Sequence, residues 1–186
     1  TRKLLSTSRT ILRPLNYPSE NPGNGFIVFD LGEKGKVGIL NLQGRVYMQP
    51  IDCPFKKADW AVEKILEQTK IIFVDFHAEA TAEKVALGWH LDGRVTALVG
   101  THTHIQTADA RILPRGTAYI PDVGMTGPYD SVIGLKKEIA LRRFIHQTPF
   151  KYEMASHDVR ICGVYVQADA ETGKALKIES FVFPAF

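Results

Sequence analysis

Two short, almost unbroken apolar runs, residues 71–76 and 95–99, constrain this chain more than any other feature. Runs of this length, bounded by polar residues, predict strands buried on both faces, as in a parallel sheet. Between them, residues 80–91 have the composition of a helix, with Val85, Ala86 and Leu87 among its apolar positions. Strand, helix, strand in this order predicts a right-handed crossover that sets the two runs parallel and close together. Each run stops at a histidine, His77 after the first and the pair His102 and His104 after the second. Carboxyl ends of neighbouring parallel strands open onto the usual ligand crevice, so the three imidazoles are expected to converge. Neutral imidazole is the commonest protein ligand for transition metals, and burying three without a shared purpose leaves several ring nitrogens to satisfy. Gly100, just before the pair, is expected to let the backbone approach an ion or ligand closely. By residue type alone, one distant His plus a His-x-His suits a single zinc with an open water position as well as a pair of ions.

The rest of the chain supplies an α/β frame around these runs. Residues 13–25 are rich in turn formers and read as a long surface loop, and residues 26–30 and 36–42 read as a hairpin. Residues 54–69 carry Ala58, Val62, Ile65 and Leu66 at the spacing of an amphipathic helix. A further strand over residues 117–123 opens into Gly124-Met125-Thr126-Gly127-Pro128, a loop placed to line the pocket with backbone amides, which makes Gly124 and Thr126 candidate substrate contacts. Residues 135–146 read as a helix with a solvated basic face. Residues 159–168 and 175–183 alternate and read as an antiparallel hairpin that closes the sheet. His90 and His146 suit the C-terminal ends of their helices, and His157 lies in a polar segment and is incidental.

Composition sets limits on function. With 186 residues, 45% of them hydrophobic, the chain is expected to form one domain over residues 1–186. The net charge of +3 is scattered, which is compatible with an anionic substrate but too weak to argue for wrapping a nucleic acid. Only Cys53 and Cys162 are present, without metal-type spacing, which suits a reducing compartment and a cytoplasmic protein. No apolar run approaches the length of a membrane span. The chain begins Thr1-Arg2-Lys3, with neither a Met nor a first core strand, so upstream sequence is expected.

Three strings carry a resemblance: Asp75-Phe76-His77-Ala78-Glu79-Ala80-Thr81, Gly100-Thr101-His102-Thr103-His104-Ile105-Gln106-Thr107-Ala108-Asp109, and Asp122-Val123-Gly124-Met125-Thr126-Gly127-Pro128-Tyr129-Asp130. They resemble the bacterial YmdB-like metallophosphoesterases of the calcineurin-like superfamily, and the likeness extends over nearly the whole chain. It implies a two-sheet sandwich flanked by helices (αββα), here incomplete at the N-terminus. It also implies two divalent metal ions, iron or manganese with zinc as an alternative, hydrolysis of phosphodiesters such as 2′,3′-cyclic nucleotides, and a homo-oligomer. Carried over, His77 and His102 share one metal and His104 holds its neighbour. Asp75 and Glu79, adjacent to His77, are expected to orient the imidazoles from behind. The family's Gly-Asp strand, its Asn-Gly-Glu-Asn segment and its Gly-Asn-His segment do not occur in this sequence. With them go an aspartate, a bridging acid, an asparagine ligand and the histidine expected as catalytic acid, so no catalytic residue is assigned here. Carboxylates normally offset the repulsion between two ions, so these residues alone are expected to be inactive. The alternatives are a non-catalytic regulatory or assembly module and a mononuclear three-histidine zinc hydrolase or lyase.

Overall fold

The computed structural model describes residues 2–186. A short helix α1 (Arg2–Thr7) precedes the long loop, which leads into strands β1 (Phe26–Asp30) and β2 (Lys36–Gln43). Helix α2 (Pro54–Leu66), strand β3 (Ile72–His77), helix α3 (Thr81–Leu91) and strand β4 (Ala97–Thr101) follow as two successive crossovers. The chain continues through the short strands β5 (Arg111–Ile112), β6 (Ala118–Ile120) and β7 (Gly127–Pro128) to helix α4 (Lys137–His146). Strands β8 (Val159–Ala168) and β9 (Ala175–Phe183) end the fold.

A first sheet has the order β1-β2-β3-β4-β6-β5, with β2, β3, β4 and β6 parallel and an antiparallel strand at either edge. The closing hairpin does not extend this sheet, as its alternation alone suggests; β8 and β9 pair with β7 in a second, three-stranded sheet. The chain is therefore a mixed α/β structure of two sheets with flanking helices, as the resemblance implies.

Burial alternates along β3, contrary to a strand buried equally on both faces. Ile72, Val74 and Phe76 are fully buried, whereas Phe73, Asp75 and His77 are half-buried. The first set packs with Ala58, Ala61, Val62 and Ile65 of α2 and Leu87 and Leu91 of α3, forming the main core. On the opposite face, Phe73 packs with Ala97, Ala118 and Ala175, and with Val166 and Ile178 of the second sheet. The buried members of this second core, Ala97, Ala118 and Ala175, all have small side chains.

Helix α2 stops at Leu66, short of Thr69, and Leu66 is exposed. The Thr69 hydroxyl donates to Lys36 O at 2.6 Å and accepts from Ile71 N at 3.1 Å, turning the chain into β3. In α3 Val85 packs against the core half-buried and Ala86 is exposed; the buried stripe is Glu83, Lys84, Leu87, Gly88 and Leu91. These residues recur at helical spacing, with two charged groups on the inward face.

Gly100 also has a different reason from the expected one. A Cβ built there would stand 1.8 Å from Pro121 O, so the missing side chain accommodates the crossing backbone after β6 rather than a ligand. Gly100→Ala is expected to cost about 3 kcal/mol of stability or more, because backbone rather than a flexible side chain must move. Urea unfolding of the variant beside the parent protein measures this.

Candidate functional site

Parallel register places the candidate residues in two rows across the carboxyl ends of the strands. Gln43, His77 and Thr101 stand side by side, as do Asn41, Asp75 and Val99 two residues earlier. Asp75 and His77 share the face of β3 that carries Phe73, and so look toward the second sheet. His102 and His104 lie in the turn after β4 at φ 123° and 66°, a backbone region costing roughly 1–3 kcal/mol per non-glycine residue. His77, His102 and His104 converge with Thr101, Gly124 and Met125 on a cavity of about 200 Å³.

A chain of polar contacts runs behind and through the imidazoles. Asn41 Nδ2 donates to Asp75 Oδ2 at 2.6 Å, and the Thr101 hydroxyl lies 3.2 Å from Asp75 Oδ1 and 3.1 Å from His77 Nδ1. His77 Nε2 faces His102 Nδ1 at 3.1 Å, with the rings edge to face. His102 Nε2 meets Glu79 Oε2 at 2.7 Å.

Counting protons along these contacts shows what the site requires. With Asp75 ionised, Thr101 donates to it and accepts the Nδ1 proton of His77, which leaves His77 Nε2 bare. Glu79 accepts the Nε2 proton of His102, which leaves His102 Nδ1 bare. Two lone pairs then face one another at 3.1 Å, a repulsive arrangement unless a positive charge, a proton or a cation, lies between them. Two bare imidazole nitrogens at this separation would suit one divalent ion held by both His77 and His102. Burial, reinforced by the neighbouring His102, lowers the His77 pKa below its ordinary value and favours the neutral ring such a role needs.

The fit is partial. Among the described residues, no three His, Cys, Asp or Glu side chains stand together as ligands of one ion. His104 lines the same cavity, but the lining contributes no carboxylate. Asp75 reaches His77 through Thr101, and Glu79 directly contacts His102. Gly124 lines the cavity, yet its amide is taken by Asp122 Oδ1 at 3.0 Å; Thr126 turns toward β8, its hydroxyl donating to Cys162 O at 3.5 Å.

A buried ion pair supports both walls. Lys84 and Asp122 are 2% and 1% exposed, too little for water to satisfy either charge. Lys84 Nζ donates to Asp122 Oδ2 at 3.0 Å, Thr101 O at 2.7 Å and Pro121 O at 2.9 Å, using all three of its protons. Asp122 also accepts from Thr103 N at 2.8 Å and from Gly124 N. The buried Glu83 carboxylate accepts from the amides of Arg45 and Val46 and fixes the turn after β2.

The sequence from residue 1 to 181 matches the family described as YmdB-like protein. The chain belongs to that family. It is 49% identical over 169 residues to the 2′,3′-cyclic-nucleotide 2′-phosphodiesterase of Bacillus subtilis, covering 91% of this chain and 64% of that protein. The chain thus spans less than two thirds of this curated relative. Among solved structures, it resembles a hypothetical protein from Thermus thermophilus, with TM-score 0.90, 40% identity and coverage of 98% of this chain and 70% of the other. It also resembles a protein described as a novel phosphatase of Mycoplasma pneumoniae, with TM-score 0.89, 36% identity and coverage of 98% and 67%.

For this YmdB-like chain, reading strand ends brings out the three histidines but not Asn41, Thr101, Lys84 and Asp122. Lys84 carries a usable signal, since it falls on the Leu87 and Leu91 stripe. Thr101 and Asn41 carry none, because their roles arise from register between strands distant in sequence.

Burial pushes the Asp122 carboxyl up, but the Thr103 and Gly124 amides and the Lys84 ammonium outweigh it and hold the pKa below the ordinary value. Its contribution is therefore fully present above the ordinary aspartate value, about 3.9, and is lost as pH falls through the lowered one. Asp75 has the opposite sign, since burial outweighs the bonds from Thr101 and Asn41 and raises its pKa. Asp122→Asn is expected to be less stable than the parent at pH 5 and to lose less on acidification to pH 2, read by urea unfolding at each pH.

Proposed function

We propose that the protein containing this chain is a metal-dependent phosphodiesterase acting on small phosphodiesters such as 2′,3′-cyclic nucleotides. The observation that carries this reading is the pair of imidazole nitrogens, His77 Nε2 and His102 Nδ1, held face to face at 3.1 Å. The name of the Bacillus subtilis relative supports the substrate class. In this reading His77 and His102 hold one divalent ion and His104 its neighbour, with iron or manganese the ions of choice and zinc an alternative. When bound, the ions supply Lewis acidity at the phosphoryl group and a nucleophile from water near neutral pH.

The chain's own residues prepare the ligands. Thr101 holds the Nδ1 proton of His77 and Glu79 the Nε2 proton of His102, which fixes both tautomers and raises the basicity of the free nitrogens. Asp75 and Asn41 hold Thr101 in turn. Gly124 and Met125 form the wall against which a substrate would rest. Three neutral imidazoles bring no negative charge to two dications, and the nearby carboxylates are engaged behind the rings. In this proposal the remaining ligands and the acid for the leaving group come from outside these 186 residues, which form a single domain with them. A cytoplasmic homo-oligomer completes the reading.

Metal content by elemental analysis and hydrolysis of 2′,3′-cyclic AMP test it. The full-length protein is expected to hold two ions per chain, and residues 1–186 alone one or none with negligible turnover. His102→Ala in the full-length protein is expected to lower kcat/KM by at least about 100-fold with the fold intact. Retention of metal and activity in that variant would remove the imidazole pair from the mechanism. Two ions in the 186-residue form would mean that its own residues complete the site.

A further inference from the structure

We propose that Lys84 and Asp122, outside the set of candidate ligands, are positioning residues that set the geometry of the imidazole-bearing turn. The part of this inference that concerns metal rests on the function proposed above. His102 and His104 both adopt positive φ, and a turn of this kind keeps its shape only if its surroundings fix it. The ion pair bonds directly to backbone groups at residues 101 and 103. Thr101 O, immediately before His102, accepts from Lys84 Nζ at 2.7 Å, with a longer contact from Ala78 N at 3.3 Å. Thr103 N, between the two histidines, donates to Asp122 Oδ2 at 2.8 Å. The same pair holds Pro121 O and Gly124 N, so the opposite wall of the cavity is referenced to the same two charges.

A purely stabilising role would not require charge. Buried ion pairs can often be replaced by apolar side chains of similar volume without loss of stability, because desolvation offsets their attraction. Here the bonds of the pair go almost entirely to cavity-lining segments after β4 and β6. Lys84, on α3, also links the crossover helix to the ends of both strands. The geometry therefore assigns the pair to orientation of His102 and His104.

The test uses the full-length protein and its variants Lys84→Met, Asp122→Asn and the combination of both. The double variant leaves no uncompensated buried charge, so it is the form expected to fold if either single variant does not. Val62→Ala, a core change in α2, controls for lost stability. Two measurements are made on protein that circular dichroism shows to be folded: Mn2+ affinity by calorimetry, and ring-to-ring NOEs between His77 and His102 in metal-free protein. The double variant is expected to bind Mn2+ about 10- to 100-fold more weakly and to lose the NOE, with kcat reduced more than KM is raised. Val62→Ala is expected to keep both the affinity and the NOE. Parental affinity and an intact NOE in the double variant would overturn the positioning role. If the parent protein itself binds no Mn2+, the proposed function fails instead, and the NOE alone decides whether the pair positions the turn.

Discussion

The parallel pairing of β3 with β4 is the constraint on which the site depends. It brings His77 beside Thr101, and with the pairing of β2 to β3 it brings Asn41 beside Asp75. A one-residue slip would turn Asp75 and His77 into the main core and put Val74 and Phe76 on the site face. The apolar alternation that fills the core against α2 and α3 is thus also what aims the polar side chains. Core packing and site geometry are two consequences of one register.

Much of this frame is legible in the sequence because it rests on local patterns. The crossover from β3 to β4, the hairpins and the amphipathic α2 each follow from periodicity within one segment. What escapes is non-local. The second sheet is not distinguishable from an extension of the first, since alternation in β8 and β9 says nothing of which strand lies beside them. The Gly100 Cβ position is closed by Pro121, more than a strand away along the chain, so a glycine in a site-like string invites a ligand explanation. The buried face of α3 is hidden from any reading in which charge marks exposure, because Glu83 and Lys84 find full sets of partners inside.

The family likeness and the physical reading meet at the imidazoles from different directions. Motif resemblance names His77, His102 and His104 without explaining why their rings are held as they are. Proton counting explains the holding of His77 and His102: a hydroxyl and a carboxylate each occupy the outer nitrogen of one ring. The hydroxyl and the carboxylate behind the rings favour the tautomers that leave both inner nitrogens bare. Supporting residues such as Thr101 therefore define the imidazole pair as much as the two histidines do.

Gln106 ties the two layers together. Its side-chain amide reaches Val123 O and Gly163 O at 3.1 Å, and Phe181 O at 3.3 Å, linking the chain after the histidine turn to β8 and β9. The main core lies on the other side of the first sheet, while the contact between the sheets rests on a few alanines and their neighbours. Cooperative units with fewer buried apolar contacts open at lower free energy. Mild heat or denaturant would accordingly peel back the second sheet while the crossover core stays folded. The wall of the imidazole cavity would come apart in a molecule that still looks native by its helix content.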